Sequence, residues 1–129
     1  MTVLVAYLPT AEGDAAFTAA VEEAGRRNER LVVLNTPREG APVSTVVASE
    51  AAVETLVQRA TTAGVEVEIR QDAHTGDVAE EVVRVADEVD ASVIVIGLRR
   101  RSPVGKLFLG SAAQRILLDA DRPVLAVKP

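Results

Sequence analysis

The residues best suited to chemistry stand near the end of the chain. Gly97 closes the apolar run Val93-Ile94-Val95-Ile96, the pair Gly110-Ser111 follows, and Arg99, Arg100 and Arg101 lie between them. A strand that ends in Gly lets a ligand approach the backbone closely. A Gly-Ser pair opening a helix offers free N–H groups and a hydroxyl to an anion. Three arginines add positive charge. Together these residue types suit the capture of a phosphate at the carboxyl end of a central parallel strand, where open α/β sheets bind ligands.

Hydrophobic periodicity supplies the elements that must hold this site. Thr2 to Tyr7 predicts a strand, Leu8 to Asp14 a loop with Asp14 as helix cap, and Ala15 to Asn28 a helix with Phe17, Ala20, Val21 and Ala24 on one stripe. Leu31 to Leu34 predicts the second strand, with Pro37 to Pro42 as its exit loop. Ser44 or Thr45 caps the next helix, which Gly64 stops, and Val65 to Arg70 alternates like an outer strand exposed on one side. After the loop QDAHTGD, the run from Val78 to Val89 places Val78, Val82, Val85, Ala86 and Val89 on one helical face, with Asp77 as cap. Val93 to Ile96 reads as a strand buried on both faces. An amphipathic piece from Pro103 to Leu109, a helix capped by Ser111 and running to about Leu118, and a strand from Val124 to Val127 complete the chain. This β-α-β-α-β-α-β-α-β alternation predicts an α/β fold, a doubly wound five-stranded parallel sheet in one domain over residues 1–129, with helices on both faces.

Composition narrows the function. The chain has 129 residues, no cysteine and a net charge of −5, which excludes disulfide frameworks and argues against a polymer-phosphate or anionic-membrane binder. Five of its 14 basic residues, Arg99, Arg100, Arg101, Lys106 and Arg115, nonetheless cluster near the glycines, a distribution suited to a small anion. With Tyr7, Phe17 and Phe108 as the only aromatic residues, stacking platforms for single-stranded nucleic acid are missing. No apolar run reaches a membrane span and no signal-peptide layout opens the chain, so a cytoplasmic protein is expected.

The stretch from Gly97 to Ser111 resembles the C-terminal signature of the universal stress protein family. In that family a Gly ends the fourth strand, a second Gly follows after two residues, and Gly-Ser or Gly-Thr comes nine residues later. Gly97 matches the first position, Gly110-Ser111 the last pair, and the tail PVLAVKP is family-like, whereas Arg100 occupies the second position. The resemblance extends over the whole chain. It implies strand order 3-2-1-4-5, a homodimer through the C-terminal strand, and a cleft for a small anionic nucleotide, ATP with Mg²⁺. On that pattern Gly97, Gly110, Ser111 and Ala112 hold phosphates, with Ile96, Arg99 and Arg100 beside them, and Pro9, Thr10 and Asn35 border the nucleoside. ATP-binding members carry an Asp just after the first strand; here Leu8 or Ala11 stands there, depending on alignment. Arg100 either blocks the backbone approach to phosphate or replaces it with a charged fork. Two functions stay open: a regulatory adenine-nucleotide-binding protein, or a dimeric interaction module of the same fold that has lost the nucleotide.

Catalysis is not expected. A Walker A loop, a dinucleotide fingerprint and a metal-binding spacing are all missing, and nothing brings Ser111 within reach of His74, the lone histidine, which is expected on the surface.

Overall fold

Valine, isoleucine and leucine fill the middle of the central strands, Val3-Leu4-Val5 and Val93-Ile94-Val95-Ile96, because both sheet faces are covered by helices. The computed structural model describes residues 1–36, 48–71, 73–74, 76–100, 107–108 and 110–129, with the backbone alone for Arg100, Leu107 and Phe108. In chain order the elements are β1 (Thr2–Ala6), α1 (Ala11–Arg27), β2 (Arg30–Leu34), α2 (Glu50–Thr62), β3 (Val67–Arg70), α3 (Val78–Glu88), β4 (Ala91–Gly97), β5 (Arg99–Arg100), β6 (Leu107–Phe108), α4 (Ser111–Asp119) and β7 (Val124–Val127). The main sheet runs β3-β2-β1-β4-β7 and every pairing in it is parallel. That is the expected five-stranded doubly wound arrangement, 3-2-1-4-5 once the short hairpin β5-β6 is set aside.

Register sorts the core into two layers. Val3 pairs with Leu31 and Val93, and Val5 with Val33 and Val95; these residues meet Phe17, Ala20 and Ala24 of α1 and Leu56 and Ala60 of α2. The alternate row, Leu4, Val32 and Ile94, faces Val82, Val85 and Ala86 of α3 and Ile116 of α4. Burying one such Val, Leu or Ile stabilises the fold by roughly 1.5–3 kcal/mol relative to leaving it exposed. The sheet reverses winding direction between β1 and β4, which opens a crevice at their carboxyl ends.

Several local expectations are corrected. Helix α1 begins four residues earlier than its apolar stripe suggests, because Thr10 caps it: its Oγ1 accepts from Gly13 N at 3.1 Å, so Asp14 lies in the first turn instead of at the cap. Gly13 permits this early start, since a Cβ there would stand 1.7 Å from the Leu8 carbonyl oxygen. Helix α2 is capped by Ser49, which accepts from Ala52 N, and the proposed caps Ser44 and Thr45, like the exit loop Pro37 to Pro42, lie outside the described residues. Gly64 does stop it, at φ +76°. Gly110, not Ser111, is the N-cap of α4; Ser111 is its first helical residue. Of the amphipathic piece from Pro103 to Leu109 only Leu107–Phe108 lies within the described residues, and its backbone pairs antiparallel with Arg99–Arg100.

Candidate ligand cleft at the sheet's carboxyl edge

At the switch point lies a cleft of about 150 Å³, bounded by backbone and side chains from five elements. The end of β1 contributes Ala6, Tyr7 and Leu8, and the end of β2 contributes Leu34 and Thr36. Ile96 and Gly97 come from β4, Val78 and Val82 from α3, and Ala112, Ala113 and Ile116 from α4. Its walls are therefore mostly apolar, with one edge formed by the first turn of α4.

That turn is arranged to receive negative charge. Gly110 supplies no side-chain oxygen, and α4 has no side-chain cap and no acidic residue in its first turn. The N–H groups there are partial positive charges aimed at the sheet's edge. Gly97 has a different reason for lacking a side chain from close ligand approach alone. A Cβ at Gly97 would lie 2.3 Å from the Glu12 carbonyl oxygen, so the glycine lets the start of α1 pack on β4, while its backbone borders the cleft on the other face.

Of the residues assigned from the sequence, Ile96, Gly97 and Ala112 border the cleft. Gly110 and Ser111 sit one step away at the start of α4, with Ser111 exposed. Pro9 is exposed, and Thr10 spends its hydroxyl on the α1 cap. Asn35 is fully buried and ties three segments together: Nδ2 donates to Tyr7 O at 3.0 Å, while Oδ1 accepts from Ala48 N at 2.8 Å and Gln71 Nε2 at 3.1 Å. Arg99 is exposed in β5, Arg100 is its neighbour there, and Arg101 and Lys106 lie outside the described residues. Arg115 points toward α3, paired with Asp77 and 3.9 Å from Glu80. Asp77 caps α3 as expected, its Oδ1 accepting from Ala79 N at 2.7 Å, so the Arg115 pair joins the starts of α3 and α4 beside the cleft.

His74 is buried, contrary to the surface position expected of it, because its Nδ1 lies 2.9 Å from Thr36 Oγ1. It borders a second cavity with Gly76, Asp77, Glu80, Glu81 and Arg84. Within that group Glu81 is held below the usual carboxylate range by its hydrogen bonds to Arg84, against an opposing effect of burial. Behind the cleft Tyr7 stands edge-on to Phe17, over which the Arg59 guanidinium sits at 4.8 Å. Burial, then the negative charge of Asp14, raises the Tyr7 hydroxyl above its ordinary value.

Tyr7, Leu8, Leu34, Val78, Val82 and Ile116 escape a reading of the sequence because apolar lining residues have the same pattern as core residues, and Thr36 because it stands alone after β2. The available signal was positional: several lie at or just beyond the carboxyl ends of β1 and β2, the strands at the crevice.

The family model described as Universal stress protein family matches residues 1–128. A universal stress protein of Mycolicibacterium smegmatis is 42% identical over 127 residues, covering 98% of this chain and 97% of that one. Among solved structures, the universal stress protein from Archaeoglobus fulgidus in complex with dAMP superposes with a TM-score of 0.79 at 27% identity, covering 99% of this chain and 98% of that one. A universal stress protein in complex with cAMP superposes with a TM-score of 0.75 at 26% identity, covering 99% and 96%.

Proposed function

The chain belongs to the universal stress protein family, and from that premise we propose that its cleft binds an adenine nucleotide in a regulatory, non-catalytic role. The observation that carries this reading is the pairing of an apolar slot with an uncapped helix start at one sheet edge. The dAMP and cAMP complexes of two relatives support the choice of adenine.

The residues present fit such a ligand. At about 150 Å³ the cleft is smaller than the roughly 300–1,000 Å³ typical of pockets for whole drug-sized ligands, so it takes the base and leaves ribose and phosphate at its rim. Leu34, Ile96 and Val82 supply apolar surface to the heterocycle, and the first amides of α4 supply hydrogen-bond donors to phosphate. Gly110, Ser111 and Ala112 are therefore the phosphate residues of this proposal. ATP fits the same arrangement with its extra phosphates toward β5, where Arg99 and Arg100 stand. Mg²⁺ would then be carried by the phosphates, since no group of three or more His, Asp or Glu suited to a metal ion occurs among the described residues. The role is regulatory because His74, the chain's one imidazole, already engages Thr36. Hydrolysis would lack a base aligned for it.

A second reading draws on the edge of the sheet. Strand β7 pairs with β4 at the end of the strand order and exposes Leu125, as an interaction surface between two copies would. A cytoplasmic homodimer joined through β7 is compatible with nucleotide binding, and becomes the whole function if Arg100 excludes phosphate.

Thermal melting separates the two. A ligand that binds only the folded state raises the midpoint. Millimolar ATP with Mg²⁺ should raise it clearly, and an equal concentration of GTP should not. An unchanged midpoint with ATP and with AMP would remove the nucleotide and leave the dimeric interaction module.

A further inference from the structure

We draw no further inference here: the strongest candidate, the apolar edge strand β7 with its exposed Leu125 and the cavity that it shares with Glu23 and Arg27 of α1, restates the pairing of two copies through the C-terminal strand, and nothing in the structure shows what else covers it.

Discussion

Replacing Asn35 with Ala should cost the fold about 3–7 kcal/mol, and the reason lies in what one buried amide holds together. Asn35 is 0% exposed, and its side chain bonds Tyr7 O, Ala48 N and Gln71 Nε2. Their net contribution is about 1 kcal/mol each. Where truncation leaves a buried partner without a bond, that bond's cost is instead the partner's desolvation penalty of about 1–3 kcal/mol. Ala48 N and Tyr7 O are the groups exposed to that penalty, whereas Gln71 keeps its bond to Ala48 O at 3.0 Å. Against a typical total stability of about 5–15 kcal/mol the loss is large, and at this chain length it lowers the melting midpoint by roughly 10–30 °C. Urea unfolding of the two proteins gives the difference directly. Asn35→Asp sharpens the test: the ionised carboxylate cannot donate to Tyr7 O, but on protonation it regains a donor, so its deficit should shrink as pH falls. A loss below 1 kcal/mol for Asn35→Ala would refute the reasoning, and would return Asn35 to the nucleoside contact expected from the sequence.

Other outcomes follow from single contacts. Gly97→Ala places a methyl group 2.3 Å from the Glu12 carbonyl oxygen, and because that atom is backbone, α1 must shift; a stability loss of about 1–3 kcal/mol is expected in chemical denaturation. Tyr7 is the only tyrosine in a chain without tryptophan, so the absorbance of tyrosinate reads it alone, and its midpoint in the folded protein should lie above 10. Unfolded chains ionise near 10, so this contribution is intact below that pH and lost as pH rises toward the folded value; Tyr7→Phe should remove that alkaline slope. Arg122 donates to the carbonyls of Ala86 and Ala91 at 2.7 and 3.0 Å and to Asp87 at 2.7 Å, joining the end of α3 to the start of β4. Its replacement by Ala should cost about 1–3 kcal/mol in the same assay.

The architecture was legible because its signals are local and redundant. Val93 to Ile96 is too short for a helix and too apolar for an exposed strand, and the face of α3 from Val78 to Ala86 repeats at helical spacing. Caps are ambiguous where two candidates stand within a few residues of each other. Thr10 and Asp14 both suit an N-cap, and only the close packing of Gly13 on Leu8 decides for Thr10. The polar sequence neighbours of His74 point to the surface. Its partner Thr36 is 38 positions away, a separation that periodicity does not span. Gly97 stands out in the sequence as a strand-ending glycine, but the contact that requires it comes from Glu12, 85 positions away at the start of α1.

The central claim, an adenine nucleotide in the cleft at the switch point, is tested most directly by following backbone amide resonances during titration with AMP. Saturable shifts are expected, concentrated at Tyr7, Leu8, Thr36, Ile96, Gly97, Ser111 and Ala112, the residues along the cleft and the start of α4. Shifts confined to the cavity between Arg27 and Leu125, or none at millimolar AMP, would contradict it.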